Sequence, residues 1–585
     1  MAQSPSDDRW FTDHPASTRW PHYTRANAGE VLPTPASPLG QTFGFDIGIL
    51  QGFQRASERT GFYELSEYRD GAPEMCGFFG GYFYLNLSNI RMQAVRNPAV
   101  TIDQLDMAFF GAHPDVPTYR PHPDDHKPHL QPTADAHMNF VLTSSEWPEL
   151  DDDRTTTVAM RAARPDLSAL DDHEIVERAL AMTPTIVHLA SQHFLASSSS
   201  GIAPGMLAAV AEAIDDSTIP MRLLASLGDV DSAEPSYAIW DMSRLIRGST
   251  ELTCEFDAGI SGVVGRLSAS ASADAIQFLQ VFTTFLRDFG SRGPNEWELS
   301  AETWETDPTI ALAAIDRVRF QADDQSPTAR SATMADGRKA LVDEVRAKVA
   351  ELGDETLIGV FEGALVGGNM MIFRERAKTN IIRCLHEARM MFRELGERHA
   401  IAGTLSEASH IFMLTNDDLS AFASEPSAWT DVLTERAQGW DKLWQLEPPF
   451  FIRDSEVPPL RQWDAKGAAT TTIAEVDETL TGVAGSPGVI EGRARVVLDA
   501  ADPPDLMPGD IMVAPITDPA WTPLFMAVDG VVVNVGGQIS HAIIVSRELG
   551  LPCVVSVTDA TTRIPDGAKI RVNGTTGEVT IVALP

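Results

Sequence analysis

The chain has 585 residues, of which 43% are hydrophobic, and its 45 basic and 82 acidic side chains give a formal net charge of −37. This composition predicts several globular domains and excludes a disordered chain. The negative charge argues against nucleic acid and anionic lipid as partners, because both would be repelled. A phosphate-bearing ligand would therefore need a locally basic pocket.

Cysteine usage and the absence of targeting signals bear on location. The four cysteines, Cys76, Cys254, Cys384 and Cys553, lie far apart, which favours reduced thiols over a disulfide framework or a zinc site. The first residues show no secretory signal pattern, and no stretch approaches the roughly 20 apolar residues of a membrane span. We therefore expect a soluble cytoplasmic protein without a membrane partner.

The first elements in the chain differ from those that follow. Residues 77–90, GFFGGYFYLNLSNI, predict a strand pair with a turn at Gly80 and Gly81, inside an irregular region of about 150 residues rich in Pro, Gly and His. From about residue 165, apolar residues recur at spacings of three and four. This period predicts a mainly helical region, with a break near Pro184 and a turn at 197–201.

A change in proline content and periodicity after residue 446 predicts a second domain. Residues 447–478 hold four prolines and no sustained period, which indicates a linker. About 20 extended residues would span some 65–70 Å, enough for a tethered domain to move between two sites. From residue 479, Val-rich strands alternate with Gly and Pro turns. We expect a multidomain α+β protein with an acceptor-binding domain at 1–446, a linker at 447–478 and a strand-rich domain at 479–585.

The segment with the clearest chemistry is 529–557, DGVVVNVGGQISHAIIVSRELGLPCVVSV. It predicts a buried strand, a turn at Gly536 and Gly537, and a helix that begins near Ser540 and ends at Gly550. His541 lies in the first turn of this helix, where unpaired N–H groups and the helix dipole favour a phosphoryl group. Imidazole is a competent nucleophile near neutral pH. The pattern thus indicates a histidine that becomes phosphorylated.

GGQISHAIIVSRELGLPCVV resembles the signature of the swivelling phosphohistidine domain of phosphoenolpyruvate (PEP)-utilising enzymes. The resemblance covers about 100 residues, from GVAGSPGVIEGRARVV through PGDIMVAPITDPAWTPLF to DGAKIRVNGTTGEVTI. It implies a compact β/β/α domain in which His541 carries the phosphoryl group. It also implies a phosphohistidine loop formed by Gly536, Gly537, Ser540 and Thr517.

Alternatives remain for the neighbours of His541. Ser540 is either an orienting residue or a plain helix N-cap. Arg547 either orients the phosphohistidine or forms an ordinary surface pair with Glu548. Cys553 begins an apolar strand, which favours a place in the core.

Other segments resemble the substrate-binding domain of rifampicin phosphotransferases. These are WPHYTRANAGEVLPTPASPL near the N-terminus, residues 289–308 and residues 373–389, FRERAKTNIIRCLHEAR. Arg374 and Lys378 are four residues apart, so on a helix they point the same way and suit a transferring phosphoryl group. The resemblance implies that this pair is catalytic, and the alternative is an exposed charged face. Gln41, Asn27 and Glu30 are candidates for the acceptor pocket.

The remaining expectations concern metals, cofactors and partners. The HPDDHKPH segment, with His122, His126 and His129, is typical of a polar loop, and we predict no metal site. No nucleotide-phosphate loop is visible and an ATP-grasp region is missing from the sequence, so we expect no cofactor bound directly by this chain. ATP and Mg²⁺ would act through a partner ATP-grasp subunit that phosphorylates His541.

Resemblance to the histidine-bearing subunit of phenylphosphate synthase suggests a phenol or alkylphenol as acceptor, and hence a role in aromatic compound catabolism. Two alternatives stay open. One is charging of His541 from phosphoenolpyruvate, and the other is a non-catalytic binding or regulatory protein that retains the fold.

Overall fold

The computed structural model describes residues 8–69, 74–97, 100–110, 115–216, 218–225, 227–228, 230–467, 472–500, 503–517, 521–537 and 540–585. The described residues form two compact units. Unit 1 comprises Met1–Ser199, Trp297–Ala301 and Arg376–Thr470, and unit 2 comprises Ser200–Glu296, Glu302–Glu375 and Thr471–Pro585. The expected multidomain α+β class is confirmed. The domain limits at 446 and 478 stay a prediction.

The described strands of unit 1 form a four-stranded antiparallel sheet and a separate two-stranded one. The strands are β1 (Tyr23–Thr24), β2 (Cys76–Phe79), β3 (Tyr82–Asn86), β4 (Leu446–Glu447), β5 (Phe451–Ile452) and β6 (Asp464–Ala465). The larger sheet has the order β2-β3-β1-β5, and β4 pairs with β6. The predicted hairpin is confirmed, since β2 and β3 pair around Gly80 and Gly81. Both glycines have positive φ, at 57° and 74°, a backbone conformation that is strained for a residue with a Cβ.

Helices form the rest of unit 1, including more of its first 150 residues than the sequence period predicted. The described helices are Ala28–Val31, the π-helix Gly40–Ile49, Leu50–Ser57, Leu87–Ile90, Met92–Val95, Ile102–Phe110, Gln131–Thr143, Pro148–Ala162, Asp172–Leu180, Thr183–Ser199, Leu419–Ser424 and Thr430–Leu443. The break before Pro184 is confirmed. The π-helix Gly40–Ile49 escaped prediction because apolar residues and glycines dominate it and leave no clear polar face.

Much of the predicted linker is folded. Strand β5 pairs with β1, and Ile452, Leu460 and Trp463 are buried in an aromatic core with Trp10 and Tyr82. Prolines and absent periodicity suggested a free tether, but scattered aromatic and aliphatic side chains anchor residues 447–467 in unit 1 instead. Residues 468–471 lie outside the described part of the chain.

Unit 2 has a helical part and a sheet. Its described helices are Ile202–Ala213, Ile219–Leu223, Glu234–Gly248, Thr250–Asp257, Val263–Ala269, Ala273–Phe289, Pro308–Val318, Pro327–Leu352, Glu355–Gly367, Thr522–Phe525, His541–Leu549 and Ala560–Arg563. One further helix, Asn369–Ile401, begins in unit 2 and ends in unit 1. The predicted mainly helical region is therefore confirmed.

The strands of unit 2 follow residue 478, as predicted. Those described are β7 (Thr479–Thr481), β8 (Val483–Ser486), β9 (Val489–Val496), β10 (Asp510–Ala514), β11 (Gly530–Val533), β12 (Cys553–Val555), β13 (Lys569–Asn573) and β14 (Glu578–Ala583). Within the described residues they form one sheet in the order β7-β14-β13-β9-β10-β11-β12-β8. Strands β9 to β12 run parallel, and the outer strands pair antiparallel.

Side chains alternate between two cores across this sheet, as the strand period requires. Met512 and Val531 face a core shared with helices of the 234–318 region, whereas Ile511 and Val532 face a second core with strands β13 and β14. Both faces are covered, which explains why the central strands are continuous apolar runs in the sequence.

Two helical stretches in the described chain, Asp172–Ala213 and Glu355–Ile401, are long and apolar enough to cross a membrane by length and composition. None was expected from the sequence. The observation is weak, because core helices of soluble proteins pass the same test, and both stretches consist of separate shorter helices.

Candidate functional site

His541 lies at the carboxyl edge of the parallel strands of unit 2. It is the first residue of the helix His541–Leu549, which connects β11 to the parallel neighbour β12. Thr517 follows the adjacent strand β10. Because parallel strands end at the same edge, the sheet brings these two residues together, and this edge is where open α/β sheets bind ligands.

Two threonine hydroxyls hold the imidazole of His541, which is itself buried. The Oγ1 of Thr517 lies 3.3 Å from Nδ1, and the Oγ1 of Thr522 lies 3.2 Å from Nε2. The Phe525 ring meets the imidazole edge-on, with centroids 5.9 Å apart. These contacts fix the ring plane and place a neutral hydroxyl at each nitrogen.

Thr522 was not predicted from the sequence. It lies five residues after Thr517, at the start of the short helix Thr522–Phe525, inside the PAWTPLF segment that carries part of the resemblance. A hydroxyl residue before Pro523 at a helix start was an available signal. Nothing local indicates, however, that it would face the second nitrogen of His541.

The absence of a side chain at Gly536 leaves room for Ser540. A Cβ on Gly536 would lie 3.1 Å from Ser540 Oγ and 3.0 Å from Val555 Cβ, so a larger residue would crowd both. Ser540 is the N-cap position, but its side chain makes no capping bond, and its buried Oγ has no partner among the described residues. Gly537 accepts the Ser540 N–H at 2.9 Å. Gln538 and Ile539 lie outside the described residues.

The predictions for Arg547 and Cys553 have clear outcomes. Arg547 is buried and donates from Nε to the Gly485 carbonyl at 2.8 Å, which excludes an ordinary surface pair. Burial lowers the pKa of its guanidinium to about 10. Cys553 is fully buried in strand β12, as expected for a core residue, and burial raises the pKa of its thiol to about 12.

The basic pair Arg374 and Lys378 lies on one continuous helix, Asn369–Ile401. Their spacing of four residues gives them a common helix face. Both side chains are partly exposed. In unit 1, the Lys378 ammonium lies 6.0 Å from the centroid of the Trp297 ring, a cation–π distance.

The candidate pocket residue Gln41 is fully buried in the π-helix Gly40–Ile49. Its Nε2 donates to the Thr12 carbonyl at 2.6 Å, and its Oε1 accepts from Thr12 Oγ1 at 2.6 Å. The same Nε2 lies 3.3 Å from His14 Nε2, which also lies 3.1 Å from Asp46. In this conformation the amide is therefore part of an internal network.

Asn27 and Glu30 contact each other in unit 1. Asn27 has a φ of 59° and donates from Nδ2 to Glu30 Oε2 at 3.5 Å. Glu30 is buried. The roles proposed for Asn27, Glu30 and Gln41 stay predictions.

A buried carboxyl that the sequence did not single out anchors this part of unit 1. Glu298 accepts from Ser37 Oγ at 2.5 Å, from Ser37 N at 3.2 Å and from Ser300 N at 3.0 Å. Burial raises the pKa of Glu298, while the bonds from Ser37 and Ser300 oppose that shift. Ser37 Oγ in turn accepts the Gly40 N–H at 3.0 Å, so the network holds the start of the Gln41 helix.

The histidine-rich segment forms a loop organised by Asp125. Its carboxylate accepts from the His122 N–H at 2.7 Å and from Tyr119 OH at 2.6 Å. His129 pairs instead with Glu64. Within the part of the chain that the structure describes, no three His, Cys, Asp or Glu side chains are placed to hold a metal ion.

Comparison with known proteins agrees with this geometry. Residues 506–577 match the mobile domain of PEP-utilising enzymes, and residues 193–363 match the fourth domain of rifampicin phosphotransferase. The resemblance inferred from the sequence is confirmed: the chain carries the mobile domain of PEP-utilising enzymes, with His541 inside it. It is related to phosphotransferases.

The relatives include a rifampicin phosphotransferase of Streptomyces sviceus, 31% identical over 381 residues, covering 62% of this chain and 41% of the relative. The rifampicin phosphotransferase of Bacillus subtilis is 29% identical over 309 residues, covering 51% and 34%. Chondramide synthase cmdD of Chondromyces crocatus is 29% identical over 388 residues, covering 63% and 10%. The chain thus spans less than half the length of each of these relatives.

Proposed function

We propose that this chain is a phosphotransferase component in which His541 receives a phosphoryl group and passes it to the hydroxyl of a phenol or alkylphenol. The observation that carries the proposal is the placement of His541 at a helix N-terminus, on the carboxyl edge of a parallel sheet, within the matched mobile domain. A helix N-terminus is suited to hold a phosphoryl dianion through its N–H groups and dipole.

The distal nitrogen Nε2 is the proposed nucleophile, because it lies farther from the backbone than Nδ1. Its lone pair attacks phosphorus, a P–N bond forms, and the bond from phosphorus to the donor's bridging oxygen breaks with the electrons leaving on that oxygen. In the second step the acceptor oxygen attacks phosphorus and the P–N bond breaks, returning its electrons to the imidazole. The acceptor proton passes to solvent or a nearby base. Thr517, beside Nδ1, is suited to fix the tautomer.

An aromatic acceptor is supported by the side chains around Lys378 in unit 1. The Trp297 ring lies under the Lys378 ammonium, His193 lies 5.5 Å from Trp297, and Phe53 lies 5.4 Å from Phe194 and 6.2 Å from His193, between centroids. Such rings favour an aromatic ligand by stacking or edge contacts. A cation beside them stabilises a phenolate and the transferring phosphoryl oxygens. Arg374 is assigned the same electrostatic role.

We further propose that ATP and Mg²⁺ act on a separate ATP-grasp subunit, which phosphorylates His541 in the cytoplasm. Phosphoryl transfer needs positioning and charge stabilisation above all, so its two halves can be divided between polypeptides. This division would let the nucleotide and the phenol bind at different places. It would serve the catabolism of aromatic compounds.

The test is phosphorylation of the chain by ATP labelled at the β or the γ position, with and without a candidate ATP-grasp subunit. We expect acid-labile label on the wild-type chain only when the subunit is present, and none on His541→Ala. His173→Ala, an exposed histidine change in unit 1, is the matched control and should label normally. Label on His541→Ala would refute His541 as the phosphoryl carrier. Labelling by phosphoenolpyruvate without ATP would show that phosphoenolpyruvate is the phosphoryl donor instead of ATP.

A second experiment separates the acceptor step. Phosphorylated chain is isolated and mixed with phenol in a single turnover. Lys378→Ala should slow transfer to phenol by about 10²- to 10³-fold, the usual effect of removing one charge-stabilising group, and should slow charging much less. Equal effects on both steps would contradict the role of Lys378 in the acceptor step.

A further inference from the structure

A small cavity in unit 1 is lined by cationic side chains, in a chain whose net charge is −37. Its volume is about 210 Å³, well above the roughly 10–15 Å³ needed for one water, so it has room for a small molecule. The wall is built from residues 18–22, 88–92 and 119–125, and it includes Arg19, Arg91, Arg120 and His22. None of the residues assigned to phosphoryl transfer lines it.

Asp125 is the carboxylate found among the described residues that line the cavity, and its oxygens are already occupied. They accept from Arg19 Nη2 at 2.5 Å, from Tyr119 OH at 2.6 Å and from the His122 N–H at 2.7 Å. Although burial favours the neutral acid, these hydrogen bonds hold the pKa of Asp125 below its ordinary value. With Asp125 satisfied, little acceptor capacity remains in the wall.

Arg91 has a donor left over. Its side chain is 1% exposed and donates to Asp106 from Nε at 3.0 Å and from Nη2 at 2.5 Å. Nη2 also donates to the Pro117 carbonyl at 2.7 Å. Nη1 has no acceptor among the residues that the structure describes. A guanidinium nitrogen whose N–H groups are not used within the described residues, on the wall of a cavity, can donate to a ligand with oxygen acceptors.

His22 supplies a second donor to the same wall. Its Nδ1 accepts the Asp454 N–H at 3.2 Å, so the neutral ring carries its proton on Nε2. Burial lowers the pKa of His22, the charge of Asp454 opposes that shift, and the charges of Arg91 and Arg120 add to it. In the described part of the chain Nε2 has no acceptor. Arg120 lies at the rim, 75% exposed, where Nη1 donates to Asp454 at 2.8 Å and leaves its other N–H groups available.

We propose that this cavity binds a small oxyanion, a phosphate or a carboxylate group. A guanidinium fork, an imidazole N–H and a rim guanidinium match the several oxygen acceptors of such a group. Each of the three arginines already pairs with a carboxylate, so the donors that favour an oxyanion over a cation are the remaining N–H groups of Arg91, Arg120 and His22. Binding would connect three chain segments and stabilise unit 1 by mass action.

The experiment measures binding of inorganic phosphate to the full chain by calorimetry, at low and constant ionic strength with chloride as the balancing anion. We expect one saturable site per chain. Arg120→Ala should weaken phosphate binding by about tenfold or more, because it removes a charged hydrogen-bond donor from the rim. Arg91→Ala is unsuitable, since it would leave the largely buried Asp106 carboxylate without its partner, whereas Asp454, the partner of Arg120, is 48% exposed to solvent.

The matched control is Arg453→Ala. Arg453 is exposed, donates to the Asp115 carbonyl and follows the same β5 segment, but it does not line the cavity. It should change phosphate affinity by less than about threefold. If acetate competes with phosphate, the site also binds carboxylates. If phosphate binds and acetate does not compete, the site is specific for phosphoryl groups. Absence of saturable binding up to about 10 mM phosphate, or equal losses in the two variants, would overturn the proposal.

Discussion

Removing the buried carboxyl of Glu298 is predicted to destabilise unit 1 strongly. Its side chain is fully buried and accepts hydrogen bonds from the backbone N–H groups of Ser37 and Ser300 and from Ser37 Oγ. In Glu298→Ala the hydroxyl can rotate to another acceptor, but both N–H groups lose theirs. Each buried donor without an acceptor costs about 1–3 kcal/mol, so we expect a loss of about 4 kcal/mol in the free energy of unfolding.

Glu298→Gln gives a graded comparison. The amide oxygen still accepts one backbone N–H, and its NH₂ group cannot accept the other, so about 2 kcal/mol should be lost. Removing a buried charge offsets part of that loss, because burial already disfavours the ionised carboxyl. The loss in Glu298→Gln should therefore be no more than half of that in Glu298→Ala.

The assay is equilibrium unfolding in urea, followed by circular dichroism. Glu149→Ala, an exposed glutamate in the first turn of helix Pro148–Ala162, is the control and should change stability by less than about 1 kcal/mol. A Glu298→Ala protein within about 1 kcal/mol of the wild type would show that the backbone donors find other acceptors, and the reasoning would fail.

Three further outcomes are expected. Burial lowers the pKa of His137 to about 4. Between pH 4 and 6.5 His137 is therefore protonated in the unfolded chain and neutral in the folded chain. The free energy of unfolding, measured in urea, should rise by up to roughly 3 kcal/mol from pH 4 to 6.5, and His137→Gln should remove that rise. Gly337→Ala, inside helix Pro327–Leu352 with open space around it, should raise the unfolding free energy by about 0.8–1 kcal/mol, and an unchanged or lower value would contradict the helix. Thr517→Val should slow labelling of His541 by up to about tenfold through loss of the fixed tautomer. Thr522→Val should not slow it, because the Nε2 lone pair no longer accepts a hydrogen bond from a hydroxyl, and the opposite order would reassign the reactive nitrogen.

Local signals in the sequence were enough for the mobile domain. The helix stop at Gly550, which has a φ of 67°, follows from glycine's backbone preference, and the short valine-rich strands follow from their period. The position of His541 at a helix start could therefore be predicted from the amino-acid sequence alone. The hairpin at Gly80 and Gly81 could likewise be predicted from local sequence signals.

The contacts that could not be predicted from the sequence join residues far apart in the chain. Glu298 is 261 positions from Ser37, and β5 follows β1 by more than 400 residues. No period or motif marks such pairs, because their spacing is set by tertiary packing. The partial folding of the predicted linker has the same origin, since proline content reports local stiffness and not whether Trp463 finds a core.

In the proposed relay, the two hydroxyls at His541 affect the balance between charging of the histidine and transfer to the acceptor. A phosphoryl group on Nε2 places phosphorus and three oxygens where the Thr522 hydroxyl now lies, 3.2 Å from the nitrogen. Either Thr522 or the ring must move when His541 is charged. The helix N-terminus favours the charged form, and the buried packing around the ring favours the uncharged form. Strong stabilisation of phosphohistidine alone would slow transfer to the acceptor, because only interactions that strengthen in the transition state increase the rate. In the proposed reaction, opposing preferences of this kind would keep both steps accessible, and movement around Thr522 would be part of it.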